Sequence, residues 1–150
     1  MTGGNQMNPH RLPVFVYGSL LPGFRNWELY VKPYPHQALP AEVKGQLYHL
    51  PTGYPGLLRE GEGTVKGGVL LFSPDVYDEA LRGLDELETY FGPGDPRNEY
   101  EREIMTARLV TTGEEQRVYV YRFVDEAFAR QTGIFLADGD WEAFMRRKRE

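Results

Sequence analysis

The chain of 150 residues contains no cysteine, no long apolar run and no excess of positive charge. The absence of cysteine excludes disulfide bridges, thiolate nucleophiles and cysteine-ligated metal ions. No stretch of 18 apolar residues occurs, so the sequence predicts no membrane span. The formal net charge of −5 gives no electrostatic footprint for nucleic acid. We therefore expect a cytoplasmic protein without a membrane or nucleic-acid partner, and its oligomeric state stays open.

The composition is that of an ordinary globular domain. Hydrophobic residues make up 41% of the chain and charged residues 26%, and 150 residues suffice to bury one core. Residues 1–12 contain several glycines and asparagines and lack the apolar segment of a signal peptide. We expect residues 1–12 to form a flexible tail and residues 13–150 to form a single domain.

The pattern of apolar residues and turn formers predicts more strands than helices. Strands are predicted at 13–17, 42–50, 65–72, 102–110 and 117–123, with the last two joined as a hairpin through 111–115. A short helical turn is predicted within 27–31, a long helix over 73–90 and a final helix from Asp140, with loops at 21–36 and 51–63. Because strands and helices do not alternate regularly, we expect an α+β fold: a small mixed β-barrel flanked by a few helices.

The end of the first predicted strand is a candidate binding site. Gly18 lets the backbone turn sharply or lets another group approach it closely. The backbone amides of Gly18, Ser19 and Leu20 could then face an anion or a polarised carbonyl. An ordinary turn explains the same residues, so both interpretations stay open at this point.

Glu88 is the acid whose position is hardest to explain by chance. At about 100° per residue, it falls inside the apolar arc of the predicted 73–90 helix. That arc contains Val76, Tyr77, Ala80, Leu81, Leu84 and Leu87. Burying an unpaired carboxylate costs several kcal/mol. Three alternatives stay open: an arginine such as Arg102 pairs with Glu88, Glu88 is a partly desolvated general acid–base with a raised pKa, or Glu88 turns out to solvent at the end of the helix.

Other candidates have less support. The three histidines, His10, His36 and His49, lack metal-ligand spacing, so the sequence predicts no metal site. A nucleophilic Ser19 would need a histidine partner, and His49 is the one histidine in predicted regular structure. The ten tyrosines include Tyr100, Tyr119 and Tyr121, whose side chains could pack in the core or line a polar pocket.

Several short motifs, taken in order, resemble those of the gamma-glutamylcyclotransferase-like family, above all its small bacterial members and the gamma-glutamylamine cyclotransferases. The matching segments are Val16-Tyr17-Gly18-Ser19-Leu20, Tyr54-Pro55-Gly56-Leu57, Val65-Lys66-Gly67, Leu84-Asp85-Glu86-Leu87-Glu88 and Tyr100-Glu101-Arg102. Val120-Tyr121 and Gly139-Asp140-Trp141 also have counterparts, so the resemblance covers nearly the whole predicted domain. One departure is Thr89, which stands where the family usually has glycine.

The resemblance implies an α+β barrel and a cofactor-independent, metal-independent cyclotransferase. Such an enzyme releases 5-oxoproline and an amine from a small γ-glutamyl amine or γ-glutamyl peptide. It also implies that Glu88 is the catalytic acid–base. The implied substrate-binding residues are Tyr17, Gly18, Ser19, Leu20, Tyr100 and Tyr121. The alternatives are a non-catalytic small-molecule-binding module with the same pocket, and an interaction domain that binds protein through exposed aromatics. The identity of the leaving amine stays open.

Overall fold

A computed structural model describes residues 11–149 of the chain. Most of the predicted tail therefore lies outside the described residues. Leu12, at its end, is buried, and its carbonyl oxygen accepts a 2.6 Å hydrogen bond from the Tyr77 hydroxyl. The assignment of residues 13–150 to one domain stays a prediction. Within the described part of the chain, no helix is long and apolar enough to cross a membrane.

Five strands close into a barrel, and three more form a small sheet beside it. The strands are β1 (Val14–Val16), β2 (His36–Lys44), β3 (Gln46–His49), β4 (Pro55–Leu58), β5 (Thr64–Phe72), β6 (Tyr100–Leu109), β7 (Glu115–Phe123) and β8 (Ile134–Phe135). The barrel order is β1-β5-β2-β6-β7, and the small sheet has the order β4-β3-β8. The barrel closes through parallel pairing of β1 with β7, whereas its other strand pairs are antiparallel. The expected mixed barrel is confirmed.

Four helices accompany these sheets. They are α1 (Arg25–Tyr30), α2 (Tyr77–Leu87), α3 (Glu126–Thr132) and α4 (Trp141–Arg149). As predicted, the apolar face of α2 is buried at Tyr77, Ala80 and Leu84. The final helix also begins where expected, and the Asp140 carboxylate accepts a 2.9 Å hydrogen bond from the Ala143 amide.

Strand β1 is buried on both faces, which explains why its sequence is continuously apolar. Successive side chains of a strand point to opposite faces. Phe15 belongs to the cluster that fills the barrel, whereas Val14 and Val16 belong to the cluster that contains the buried face of α2. The end of β1 is thus held between the barrel interior and α2, close to the end of that helix.

Two sequence predictions about the strands are wrong. The predicted 42–50 strand is two strands, because Gly45, at φ 152°, breaks the chain between β2 and β3 and sends them into different sheets. Strand β2 also starts at His36, inside the predicted 21–36 loop. Its antiparallel pairing with β5 along its full length overrides the local turn signals of Pro35 and Pro40.

Other elements differ from the predictions in length or were missed. Strand β4 lies within the predicted 51–63 loop, and α3 and β8 had no counterpart in the predictions. Helix α2 begins at Tyr77 rather than at residue 73, because the carbonyl oxygen of Ser73 accepts a hydrogen bond from the Val76 amide and closes a turn first. The predicted β6–β7 hairpin is confirmed, with continuous pairing from Tyr100–Phe123 to Arg108–Glu115.

A buried polar pair ties α4 to the small sheet. The Trp141 indole N–H donates a 3.0 Å hydrogen bond to Nδ1 of His49, and the His49 ring packs against Phe144. His49 is 7% exposed. Burial, followed by the positive charge of Lys148, lowers the pKa of His49 from its ordinary value of 6.5. Neutral His49 is the form that accepts the bond, because Nδ1 must keep its lone pair.

We predict that this pair makes stability depend on pH in the acid range. As the pH falls through 6.5, the unfolded chain protonates His49 before the folded chain does, so the free energy of unfolding decreases. Glutamine can accept the Trp141 bond without titrating. The Tm advantage of the wild type over His49→Gln should therefore shrink between pH 7.5 and pH 5.5. A constant Tm difference across that range in calorimetry would contradict the prediction.

Candidate active site

A cavity of about 310 Å³ opens where β1 ends and α2 terminates. Its volume lies at the lower end of the range for small-molecule sites. All seven residues that the sequence singled out line it: Tyr17, Gly18, Ser19, Leu20, Glu88, Tyr100 and Tyr121. These residues come from four separate parts of the chain, and the tertiary structure brings them to one place. Their roles stay predictions.

The segment after β1 lines this cavity with residues 18–20. No described residue accepts a hydrogen bond from the amides of Gly18, Ser19 or Leu20. The Ser19 hydroxyl oxygen accepts a 2.8 Å hydrogen bond from the Asn26 side-chain amide, so its own hydrogen is available to a ligand. Consecutive free amides with an adjacent hydroxyl suit a carboxylate or a carbonyl oxygen that gains negative charge.

Gly18 is needed for packing as well as for access. A Cβ atom at this position would lie 2.4 Å from Cγ of Pro55 and 3.0 Å from Cδ of the same ring. The absent side chain therefore makes room for the start of β4 to pack against the end of β1. Gly67 serves β1 in a similar way, because a Cβ there would meet the carbonyl oxygen of Val16.

Glu88 lies at the C-terminal cap of α2 with its carboxylate in the cavity. Among residues 11–149, no group donates a hydrogen bond to this carboxylate or forms an ion pair with it. Burial, reinforced by the negative charge of Glu99, raises the pKa of Glu88 from 4.5 to about 8. A carboxyl group with such a pKa exchanges protons readily near neutral pH, as a general acid–base must.

The interpretation that Arg102 pairs with Glu88 is wrong. Nη1 of Arg102 instead contacts both carboxylate oxygens of Asp85, at 2.9 and 2.7 Å. The Tyr121 hydroxyl donates a further 2.6 Å hydrogen bond to Asp85. Asp85 and Glu88 lie one turn apart on α2, but only Asp85 has these partners. The sequence missed this because both acids lie near the same edge of the helix.

Three of the four tyrosines that line the cavity have their hydroxyl hydrogens engaged within the protein. Tyr17 donates to the carbonyl oxygen of Tyr121 at 2.7 Å, and Tyr100 donates to that of Pro55 at 2.8 Å. Burial raises the pKa of Tyr17, Tyr100 and Tyr121 well above the usual phenol range. Their rings therefore shape the cavity wall, and their hydroxyls fix the segments that carry it.

The chain reverses directly after Glu88 through a residue with unusual backbone geometry. Thr89 has φ 55° and is the single non-glycine residue with positive φ in the described range. Its amide donates to Glu86 and the Tyr90 amide donates to Asp85, which is the hydrogen-bond pattern of a Schellman cap. Glycine usually occupies this position, because an L side chain there costs about 1 kcal/mol or more. Thr89 thus places a strained residue next to Glu88.

The serine–histidine alternative has no support in the geometry. His49 hydrogen bonds to Trp141 and does not line the cavity, whereas Ser19 is paired with Asn26. Among residues 11–149, no group of three or more His, Cys, Asp or Glu side chains is arranged to hold a metal ion.

Sequence reasoning missed several residues that line the cavity. Asn26 lies on α1, which reaches the site because the Trp27 amide donates to the Ser19 carbonyl. Thr52 and Glu99 lie in loops, and Phe123 ends β7. The sequence signal for Glu99 is its position just before Tyr100, but nothing in the sequence shows that this loop lies beside Glu88.

The fold belongs to a known class of small α+β barrels. A mouse AIG2-like protein aligns with a TM-score of 0.65 at 17% identity, covering 88% of each chain. YkqA from Bacillus subtilis aligns with a TM-score of 0.64 at 21% identity, covering 93% of this chain and 43% of that one. At these identities the likeness establishes the fold.

The family follows from the sequence itself. The family model "Gamma-glutamyl cyclotransferase, AIG2-like" matches residues 14–143, and the chain therefore belongs to this family. A curated relative, the gamma-L-glutamyl-butirosin B gamma-glutamyl cyclotransferase of Niallia circulans, is 42% identical over 89 residues. That match covers 59% of this chain and 53% of the relative, so the chain matches about half of the relative's length.

The contact between Gly18 and Pro55 generates a prediction about stability. In Gly18→Ala the new Cβ would overlap the proline ring, and relieving the overlap costs about 1–3 kcal/mol. Thermal unfolding should show this loss. Gly68→Ala is the matched control, because its nearest contact is 3.6 Å. Adding Pro55→Ala to Gly18→Ala removes the ring and should recover part of the loss. An unchanged Tm for Gly18→Ala would contradict the prediction.

Because the pKa of Glu88 is raised, its contribution to the free energy of unfolding should change with pH in the opposite direction from that of His49. Between pH 4.5 and 8 the unfolded chain loses the Glu88 proton while the folded chain keeps it, so Glu88 lowers stability as the pH rises. Glutamine mimics the protonated carboxyl group. Glu88→Gln should therefore gain Tm relative to the wild type as the pH rises from 5 to 9. Glu86→Gln, on the exposed side of α2, is the control. A Tm difference that is equal at both pH values would show that Glu88 titrates normally.

Proposed function

We propose that the chain is a cyclotransferase that releases 5-oxoproline and an amine from a γ-glutamyl amine or γ-glutamyl peptide. The substrate's own α-amino nitrogen attacks its γ-carbonyl carbon. A new carbon–nitrogen bond closes the five-membered ring, and the original amide bond breaks. The reaction is intramolecular, so holding the substrate in a bent conformation supplies much of the acceleration.

The observation that carries this proposal is that Glu88 and the free amides of the 18–20 segment lie in one small cavity, each without a partner in the described chain. A carboxylate without a partner is costly unless a ligand or a reaction uses it. Its raised pKa of about 8 suits a group that must both accept and donate a proton. Membership of the gamma-glutamyl cyclotransferase family supports the same chemistry.

In the proposed mechanism Glu88 handles the protons. The α-amino group arrives as an ammonium and cannot attack until it loses a proton, which the ionised Glu88 accepts. The freed lone pair then forms the new bond and pushes negative charge onto the γ-carbonyl oxygen. After the attack the ring nitrogen still carries one extra proton, which passes to the released amine so that the amine leaves as an ammonium ion. As the tetrahedral intermediate collapses, protonated Glu88 delivers its proton to the departing nitrogen. Without that proton the leaving group would be an amide anion, which is a far poorer leaving group.

We further propose that the 18–20 segment holds the glutamyl moiety. The free amides of Gly18, Ser19 and Leu20, together with the Ser19 hydroxyl, donate to oxygen atoms of the substrate. Tyr17, Tyr100 and Tyr121 form the wall against which its methylene groups pack. Donors that are already in place cost no reorganisation when charge develops on an oxygen.

The substrate class is proposed at the level of the γ-glutamyl group. The name of the curated relative states that it acts on γ-L-glutamyl-butirosin B, which carries that group. We propose for this chain a cytoplasmic small-molecule substrate with the same γ-glutamyl end.

The test combines a substrate screen with one substitution. Purified protein is incubated with γ-glutamyl alkylamines, γ-glutamyl dipeptides and glutathione, and 5-oxoproline is measured by chromatography. We expect release from at least one compound, and we expect Glu88→Gln to lower kcat by three or more orders of magnitude while the Tm at pH 8 is kept or raised.

Two outcomes would count against the proposal. Wild-type release by Glu88→Gln would remove Glu88 from the mechanism. Tight binding of a γ-glutamyl compound without any 5-oxoproline would favour the alternative, a non-catalytic binding module with the same pocket.

A further inference from the structure

The mouth of the cavity differs in charge from what a γ-glutamyl group alone would require. Thr52, Tyr54 and Glu99 are the exposed members of the lining, whereas Gly18, Leu20 and Tyr17 are buried. Among residues 11–149, those that line the cavity include two carboxylates, Glu88 and Glu99, and no lysine, arginine or histidine. A negatively charged cavity without a cation favours a ligand that brings its own positive charge.

Glu99 is held in place by its backbone while its side chain is left without a partner. Its amide donates to the Thr89 carbonyl oxygen and its carbonyl oxygen accepts from the Val124 amide, both at 3.0 Å. These bonds join it to the residue after Glu88 and to the residue after β7. Within residues 11–149, its carboxylate takes part in no hydrogen bond or ion pair. By contrast, the carboxylates of Asp95, in the same loop, and of Glu101, near the start of β6, each accept a hydrogen bond.

We infer that Glu99 is a specificity-determining residue, which selects γ-glutamyl substrates whose leaving amine carries a second positive charge beyond the bond that is broken. The inference rests on the proposed function, because it concerns the part of the substrate that this reaction releases. Its ligand class is a γ-glutamyl diamine or polyamine, as distinct from a γ-glutamyl alkylamine or a dipeptide with a free carboxylate.

The position of Glu99 along the cavity indicates that it lies beside the leaving amine of the substrate. The free amides that suit the glutamyl oxygens belong to the inner segment after β1, so the γ-glutamyl group occupies the inner end. The amine then extends past Thr52 and Tyr54 towards solvent and passes Glu99 at the mouth. The α-ammonium is already matched to Glu88, which must remove its proton. A second carboxylate is therefore available to a second cation.

The repulsion between the Glu88 and Glu99 carboxylates also supports a positively charged leaving amine. Glu99 destabilises the ionised form of Glu88, and no described cation offsets this. A positive charge bound at the mouth would neutralise Glu99 and let Glu88 ionise more readily at the moment when it must act as a base. A neutral leaving amine offers no such compensation.

The experiment compares two probes of equal length. One is γ-L-glutamyl-1,4-diaminobutane, whose distal amine is charged. The other is γ-L-glutamyl-n-pentylamide, in which a methyl group replaces that amine. For the wild type we expect kcat/KM to be roughly two- to fivefold higher for the charged probe, which is the range for a solvent-exposed ion pair.

Variants then assign the preference to Glu99. In Glu99→Gln the ratio of kcat/KM between the two probes should fall to about one, and in Glu99→Lys it should fall below one. Using the ratio removes any general effect on Glu88, because both probes experience the same catalytic acid. Glu86→Gln changes the net charge equally on the exposed side of α2 and should keep the wild-type ratio.

The outcomes separate this inference from the proposed function. Equal turnover of both probes by the wild type, or a wild-type ratio retained in Glu99→Gln, would overturn the role of Glu99 while leaving the cyclotransferase proposal intact. Release of 5-oxoproline from neither probe nor any other γ-glutamyl compound would overturn the proposed function, and the role of Glu99 with it. A lower ratio in Glu86→Gln as well would show that net charge alone sets the preference.

Discussion

The ion pair between Asp85 and Arg102 is the interaction on which the site depends. It joins the last turn of α2 to β6, and the Tyr121 hydroxyl joins the same carboxylate to β7. With Asp85 held on two barrel strands, Glu88 is carried one turn further along the helix to the end of β1. A half-buried carboxylate that has partners thus fixes the position of a neighbouring carboxylate that has none. The strained residue Thr89 comes directly after Glu88 in the chain.

The second constraint is the close packing at the end of β1. Gly18 lets Pro55 approach to a distance that any side chain would forbid, and the Tyr17 hydroxyl bridges β7 and β4 through the Tyr121 carbonyl oxygen and the Leu57 amide. These contacts hold the 18–20 segment at the wall of the cavity. The same residues that pack the barrel therefore orient the donors of the candidate site, which is why packing and binding cannot be varied independently at Gly18.

The sequence predicted the fold class and the cavity residues better than it predicted the element boundaries. The buried face of α2 was predictable because a helix repeats every 3.6 residues. The β6–β7 hairpin was predictable because its turn residues are local in sequence. The sequence did not predict that β2 starts at His36, because the pairing of β2 with β5 is non-local. It also did not predict that Gly45 separates two strands that belong to different sheets. Arg102 was assigned to the wrong acid because sequence periodicity gives the face of a helix and not the partner that packs there.

The sequence by itself determined that one helix would carry a carboxylate on its apolar face and that one strand would end in a glycine. Both are local facts, set by helical periodicity and by the residues that follow β1. Only the tertiary structure decided that these two features meet in one cavity, that Asp85 rather than Glu88 takes Arg102, and that Glu99 lies at the mouth. Those outcomes depend on barrel closure, which brings together residues that are far apart in the chain. A local sequence pattern does not specify such long-range contacts.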